Sequence, residues 1–98
     1  MILVRIKHYL NAEGRSYFPH WLRHVARNLK QQPGFRGIRH LKTVQGDEEC
    51  IWLLEFEDLE QAERWLGGEG YAEAVSLLES YTLKPPRLLR YYFEHVVV

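Results

Sequence analysis

Two histidines near the ends of predicted strands are the residues best suited to acid–base chemistry. His8 continues the apolar strand face that begins at Ile2, and His40 has the same parity on the next strand. An imidazole, whose ordinary pKa is about 6.5, acts near neutral pH as a general base or as a hydrogen-bond donor. Partial desolvation at the edge of a core lowers this pKa and keeps the ring neutral. The alternative interpretation of each residue is a partly exposed histidine at a strand end.

Three aromatic side chains on the predicted helices are candidates for the walls of a binding pocket. Trp21 flanks the apolar stripe of the first helix, Trp65 lies on the second helix, and Tyr71 lies beyond a glycine pair on its continuation. We predict that these rings surround one cavity together with His8 and His40. The alternative is that the tryptophans are core residues, which is their usual role in a small domain.

Other reactive side chains of the sequence favour simpler interpretations. His20 and His24 are one helical turn apart, a spacing that can hold a metal ion, but no glutamate completes an HExxH pattern. Both project away from the apolar stripe of the helix, which predicts a solvated surface. Cys50 has no activating base beside it in the sequence, so we predict an inert buried thiol. We therefore predict no metal site and no cofactor.

The composition of the chain excludes several classes of function. The 98 residues fit one domain, which we place at residues 1–98. Thirteen Lys and Arg balance thirteen Asp and Glu, so no basic field attracts nucleic acid or an anionic membrane. A single cysteine allows no disulfide within the chain, and charges interrupt the N-terminal apolar run too early for a secretory signal. These features predict a cytoplasmic protein that binds neither nucleic acid nor membranes.

The first half of the chain predicts a strand, a helix and a second strand. Residues 2–10 alternate as a strand, and residues 36–45 form the next one. Between them, Ser16 is the predicted N-cap of a helix with Pro19 in its first turn. Pro33-Gly34 ends that helix.

The second half predicts a strand, an interrupted helix and a last strand. Residues 50–57 are nearly continuous in apolar residues, as in a strand covered on both faces. Asp58 begins the second helix with a capping box, Pro85-Pro86 ends its continuation, and the last strand starts near Arg87. The order β-α-β-β-α-β predicts a ferredoxin-like α+β fold, with a four-stranded antiparallel sheet and two helices on one face.

The face of the sheet turned away from the helices is also apolar. In the first three strands, the even-numbered positions, which include Val44, are more uniformly apolar than the odd-numbered ones. We therefore predict that the even-numbered side chains pack against the apolar stripes of the helices. For the last strand, the pattern does not indicate which side chains face the helices. The odd-numbered face and the C-terminal strand, which ends in Val96–Val98, leave too much apolar surface exposed for a monomer. We therefore predict a homodimer with the two sheets face to face, in which Arg5, Lys7 and Glu55 must find partners.

Several short motifs resemble the antibiotic biosynthesis monooxygenase-like domains. One is an apolar first strand that leads to Gly14 and a helix that ends at Gln32–Phe35. Another is a strand that ends at Leu54–Asp58 and is followed by Trp65 and the break at Gly68–Tyr71. The resemblance covers essentially the whole chain.

The resemblance implies a dimeric α+β barrel with a pocket between the sheet and the helices of each subunit. The family is known for oxidation of quinol-like or polycyclic aromatic substrates with O₂ without a cofactor, and for haem degradation. Haem-degrading members use an asparagine on the first strand, a tryptophan on the second helix and a histidine farther along. Trp65 matches the tryptophan, Lys7 or His8 falls at the asparagine, and Val75 falls at the histidine. Because valine cannot ligate iron, haem degradation by that arrangement is not expected.

RNA-recognition domains share the same element order. Ile51 and Leu53 stand where those domains carry stacking aromatic residues, and Glu49 stands where they carry a basic one. Two aliphatic side chains and an acid offer neither base stacking nor phosphate pairing, so we predict no RNA binding.

Two functions of different class are therefore predicted. The first is a small cofactor-independent monooxygenase that acts on an aromatic or quinol-like substrate. In it, His8 is the catalytic base, His40 orients the substrate, and Trp21, Trp65 and Tyr71 form the walls. The second is a non-catalytic, dimeric ligand-binding or structural module of the same fold.

Overall fold

Four strands and three α-helices follow one another in the computed structural model, which describes residues 1–46 and 49–94. The elements are β1 Ile2–Leu10, α1 Ala12–Leu29, β2 Phe35–Leu41, β3 Cys50–Phe56, α2 Leu59–Leu66, α3 Glu69–Ser76 and β4 Thr82–Tyr92, with a 3₁₀ turn at Glu79–Tyr81. The strands form one antiparallel sheet with the spatial order β2-β3-β1-β4. The predicted ferredoxin-like α+β fold is confirmed, and the second helical region is divided into α2 and α3. The predicted edge residues Val96–Val98 lie outside the described residues.

The even-numbered side chains of β1 and β3 form the floor of the core, as their apolar parity predicts. Val4 pairs with Leu54 and Ile6 with Trp52, and all four side chains are fully buried. The prediction for Val44 is wrong: its side chain is 99 % exposed, because β2 ends before this residue. Burial therefore follows strand parity only where the strand is covered by the helices.

Helix α1 begins earlier than predicted. Its N-cap is Asn11, whose side-chain oxygen accepts a hydrogen bond from the Gly14 amide at 2.9 Å, so Ser16 lies inside the helix. Pro19 consequently lies in the helix interior, where its missing N–H removes one bond of the helical ladder. Gly14 does not break the helix but permits a close approach: a Cβ there would lie 2.6 Å from the Cβ of Tyr81. The helix start is therefore joined tightly to the 3₁₀ turn.

The last strand also begins earlier than predicted, because Pro85 and Pro86 lie within β4 and do not end a helix. β4 is an edge strand, where proline is tolerated since the outward N–H groups need no partner. The register shifts between the pairs Lys7–Arg87 and Tyr9–Lys84, so that the two prolines stand opposite His8. This irregularity opens the edge of the sheet beside a titratable side chain.

Candidate functional site

A cavity of about 550 Å³ opens between β1, β4, α3 and the 3₁₀ turn. We call it the His8 cavity. Its apolar wall is formed by Ala72, Val75, Pro86 and Leu88. His8, Tyr71, Ser76, Glu79 and Thr82 contribute its polar groups. A mostly apolar cavity with a few polar groups is the usual form of a small-molecule site.

His8 lies deep in the core beside this cavity and is only 4 % exposed. The alternative of a partly exposed histidine at a strand end is therefore wrong. The ring packs against Trp21, with centroids 5.1 Å apart, and against Phe18. Burial lowers the pKa of His8 from 6.5 to about 4, which confirms the predicted direction. The imidazole is neutral at pH 7.

The hydrogen bond of His8 determines which of its two ring nitrogens carries the proton and which accepts a hydrogen bond. Trp52 Nε1 lies 3.1 Å from His8 Nε2, and an indole N–H can only donate. Nε2 is therefore the accepting nitrogen, and in the neutral ring the proton sits on Nδ1. The basic lone pair is occupied by Trp52, so the ring offers a ligand an N–H donor and not a base. This geometry differs from the predicted role of His8.

Tyr71 provides a second neutral donor of the His8 cavity. Its hydroxyl oxygen is buried and has no hydrogen-bond partner among the residues that the structure describes. Burial raises the pKa of Tyr71 to about 12, although the charge of Arg90 acts in the opposite direction. The phenol therefore keeps its proton at neutral pH. A buried hydroxyl without a partner costs about 1–3 kcal/mol.

Trp21 and Trp65 lie behind the cavity wall and are not among the residues that line it, so the prediction that they form the walls is wrong. Trp21 Nε1 donates to the Ala74 carbonyl at 2.7 Å, and Trp65 Nε1 donates to Asn28 Oδ1 at 3.2 Å. The Trp65 ring also packs on Tyr71 with centroids 5.1 Å apart. Both tryptophans are buried in the core, as the alternative interpretation states, and each one contacts a polar residue of the cavity.

His40 lies elsewhere, so the prediction of one shared cavity is wrong for this residue. Its exposed ring contacts Phe18 at 5.2 Å and lines a second cavity of about 380 Å³. Burial, and secondarily the charge of Lys42, lowers the pKa of His40. Phe18 lies between the two histidines, since its ring is 5.7 Å from that of His8. His8 and His40 have the same strand parity and therefore lie on the same face of the sheet. Phe18 of α1 packs between them on that face.

No sequence pattern indicated the polar residues that α3, the 3₁₀ turn and β4 bring to His8. Glu79, Ser76 and Thr82 line the cavity although none of them belongs to a recognisable motif. Trp52 is an even-numbered residue of β3, which strand parity predicts to face the core. Its even parity, shared with His8 on the neighbouring strand, was the one feature that indicated their contact.

The remaining candidates agree with their simpler interpretations. His20 and His24 are exposed, as predicted. Within residues 1–46 and 49–94, no group of three or more His, Cys, Asp or Glu side chains is placed to hold a metal ion. Cys50 is buried, and burial raises the pKa of its thiol, as expected for an inert cysteine. Of the helices in the described part of the chain, none has the length and apolar character required to cross a membrane.

Comparison with solved structures places the fold among known proteins. SnoaB, a cofactor-independent oxygenase from Streptomyces nogalater, matches with a TM-score of 0.77 at 16% identity, covering 98% of this chain and 94% of that one. A conserved protein from Methanosarcina mazei matches with a TM-score of 0.81 at 16% identity, covering 95% and 92%. Rv0793 from Mycobacterium tuberculosis matches with a TM-score of 0.80 at 11% identity, covering 99% and 98%. At such identities the likeness establishes the fold alone.

Comparison with protein families identifies the family of the chain. No curated protein matches the chain. The family model described as "Antibiotic biosynthesis monooxygenase" matches residues 1–77, which include both cavity donors, His8 and Tyr71. The chain therefore belongs to the antibiotic biosynthesis monooxygenase family.

Proposed function

We propose that the protein is a cofactor-independent monooxygenase that oxidises a planar hydroxylated aromatic or quinol-like substrate with O₂. The observation that carries the proposal is the pair of neutral donors, His8 and Tyr71, in the wall of an apolar cavity. Membership of the family and the likeness to SnoaB support the reaction class. The substrate class rests on the shape and chemistry of the cavity.

The size of the His8 cavity suits a ligand of two or three fused rings. Its volume of about 550 Å³ lies within the usual range for small-molecule sites. Val75 of α3 and the two β4 residues Pro86 and Leu88 offer apolar contacts to a ring system. Val75 also stands where the haem-degrading members carry their histidine, so this wall packs against rings and supplies no ligand for iron.

The two donors are suited to a substrate oxygen that becomes negatively charged. In cofactor-free oxidation the substrate loses a proton and then supplies the electrons to O₂ itself. His8 Nδ1–H and the Tyr71 hydroxyl would stabilise the resulting oxyanion, because donors in a water-poor site act far more strongly than in bulk water. Trp52 keeps the His8 proton on Nδ1 and Trp21 holds the ring plane, so both act as positioning residues.

Oxygen consumption with a panel of quinols tests the proposal. Naphthohydroquinone should increase O₂ uptake above the uncatalysed rate, and the products should be hydroxynaphthoquinone and water, because a monooxygenase inserts one oxygen atom of O₂ and reduces the other. Binding of these compounds without any O₂ uptake would contradict catalysis and favour the non-catalytic ligand-binding module. Absence of both binding and uptake across the panel would contradict the substrate class as well.

Tyr71→Phe separates function from stability at the same site. The substitution removes a buried hydroxyl that has no partner among the described residues, so the melting temperature should stay equal or rise slightly. Turnover of the active quinol should fall by about 100-fold because one donor to the oxyanion is lost. A clear fall in melting temperature would show that the hydroxyl stabilises the fold. It would contradict the proposal that the hydroxyl donates a hydrogen bond only to a ligand.

We also infer that the protein acts as a homodimer with its sheets face to face. The sheet face away from the helices carries Leu3, Leu53 and Leu89 among charged residues, and none of the three is fully exposed. The predicted charges partly find partners within the chain: Lys7 binds Glu49 at 2.8 Å, and Glu55 approaches Arg39 at 4.0 Å.

The edge strand β4 exposes further apolar side chains. Within it or directly after it, the exposed residues are Leu83, Tyr91, Tyr92 and Phe93. An apolar face of this kind, bordered by an apolar edge strand, fits a second copy of the same chain.

Sedimentation velocity at micromolar concentration tests this inference. The unmodified protein should sediment as a dimer, and Leu53→Glu should raise the dissociation constant by at least about tenfold because it places a charge in the interface. Leu53 lies on the face opposite the His8 cavity, so the variant should keep its fold. His20→Glu, on the exposed helix surface, is the control. A monomer in the unmodified protein would contradict the dimer.

A further inference from the structure

We propose that Glu79 accepts the hydroxyl proton of the substrate and that its charge makes the His8 cavity select neutral hydroxyarenes over carboxylated ones. The inference rests on the proposed function, because it names the proton acceptor and the substrate charge for that same cavity. The two donors of the cavity, His8 and Tyr71, can stabilise an oxyanion, but neither of them can accept the proton whose loss produces it.

Glu79 is placed at the His8 cavity by a well-anchored turn. It begins the 3₁₀ turn Glu79–Tyr81 and lines the cavity together with His8 and Tyr71. The turn is held by a hydrogen bond from the Asn11 amide to the Tyr81 carbonyl at 2.9 Å. The Tyr81 side chain packs over Gly14, where no larger residue fits. The exposed carboxylate therefore starts from a fixed backbone position beside the cavity.

The other polar groups of the cavity are unsuited to accept a proton. The His8 lone pair accepts the Trp52 N–H, and Tyr71 is a protonated phenol at neutral pH. Ser76 Oγ donates to the Glu73 carbonyl at 2.6 Å, and Thr82 Oγ1 donates to the Leu78 carbonyl at 2.8 Å. Alcohol oxygens engaged in this way are weak bases. Among the described residues that line the cavity, Glu79 is the one carboxylate.

The proton step then has a defined donor, acceptor and charge. The O–H bond of the substrate breaks, its proton forms a new O–H bond on a Glu79 carboxylate oxygen, and the electron pair stays on the substrate oxygen. His8 Nδ1–H and Tyr71 O–H hold that oxyanion. The negative charge moves from Glu79 to the substrate, so no net charge enters the cavity. General bases positioned in this way accelerate reactions by about 10²–10⁴-fold.

The same carboxylate determines which substrate charge is tolerated. No lysine or arginine is among the described residues that line the cavity, so no lining side chain can form an ion pair with a second anionic group. The nearby Arg90 forms an ion pair with Glu63 and is already engaged. A carboxylated hydroxyarene would bring a second negative charge beside the Glu79 carboxylate, and like charges repel each other. The substrate class is therefore a hydroxyarene without an acidic substituent.

The test compares Glu79→Gln with Glu69→Gln on naphthohydroquinone and its ring-carboxylated analogue. Glu69 is an exposed acid in the first turn of α3 outside the cavity, so it is the matched control. Glu79→Gln should lower kcat for naphthohydroquinone about 100-fold and change KM by less than about threefold. Anaerobic calorimetry should show about tenfold tighter binding of the carboxylated analogue to Glu79→Gln than to the unmodified protein. Glu69→Gln should change none of these quantities.

The possible failures are distinguishable. If the unmodified protein neither binds nor oxidises naphthohydroquinone, the proposed function and this inference both fall. If it does oxidise naphthohydroquinone but Glu79→Gln behaves like Glu69→Gln, the role of Glu79 falls and the function stands. An unchanged melting temperature of Glu79→Gln, expected for an exposed residue, shows that the kinetic loss does not reflect unfolding.

Discussion

Replacing His8 with phenylalanine should lower kcat/KM for the active quinol by about 100- to 1000-fold, the usual cost of losing one donor to an oxyanion. Phenylalanine keeps the ring that packs against Trp21 and Phe18, so the apolar contacts remain. The substitution removes Nδ1–H, the proposed donor to the ligand, and also the acceptor of the Trp52 Nε1–H. The unpaired indole N–H should lower stability by about 1–3 kcal/mol, so the assay is best run well below the melting temperature.

His8→Gln is the conservative counterpart of that variant. The glutamine carbonyl can accept from Trp52 Nε1, and its amide can donate to a ligand, so both hydrogen bonds of His8 have a replacement. We expect its kcat/KM to stay within about tenfold of the unmodified protein. A general base at position 8 would give a different result, because an amide accepts no proton and His8→Gln would then be as inactive as His8→Phe. His20→Ala, on the exposed surface of α1, should retain full activity.

The second large effect concerns the pH dependence of stability. The pKa of His8 is about 4 in the folded protein and 6.5 in its ordinary environment, because burial penalises the charged ring. Between these values the unfolded chain binds a proton that the folded protein does not bind. The free energy of unfolding should therefore fall as the pH drops from 6.5 to 4, by about 3 kcal/mol in total. Above pH 6.5 the residue is neutral in both states, and its titration no longer affects stability.

Denaturant unfolding at several pH values measures this contribution. Carboxylates also titrate near pH 4, so the difference between the unmodified protein and His8→Gln isolates the histidine. The free energy of unfolding of the unmodified protein should fall relative to that of His8→Gln by about 3 kcal/mol as the pH drops from 6.5 to 4. His20→Ala should follow the unmodified protein at every pH, since its side chain is exposed. Parallel curves for the unmodified protein and His8→Gln would show that His8 is not desolvated in solution.

The two proposed tasks, stabilisation of the oxyanion by His8 and removal of the proton by Glu79, are carried out by residues in two different parts of the fold. β1 carries the donor in the core, where desolvation keeps the ring uncharged. The 3₁₀ turn carries the carboxylate at the exposed side of the cavity. Because proton removal and oxyanion stabilisation require opposite properties, the Glu79→Gln and His8→Phe variants should fail for different reasons. The first should still bind the neutral quinol, whereas the second should also lose part of its affinity for the oxyanion.

Local patterns in the sequence determined the elements, the faces of the inner strands and the class of the fold. The alternation of β1 predicts which side chains of that strand are buried, and it places His8 on the inner face because strand geometry is local. The capping interaction of Asp58 with the Gln61 amide, at 2.8 Å, is likewise a contact between close neighbours in the chain. The local pattern failed at the start of α1, where Ser16 was predicted as the N-cap and Asn11 caps the helix instead.

Tertiary packing alone decided the composition and chemistry of the site. Parity placed His8 and His40 on one face, but Phe18 of α1 separates them. The register of β1 with β3 brings Trp52 Nε1 to His8, which makes a donor of a predicted base. Glu79 reaches the cavity only because the 3₁₀ turn packs against the start of α1. Periodicity describes neighbours within one element, whereas a hydrogen bond between strands or a cavity between layers depends on how distant segments meet, which no local pattern encodes.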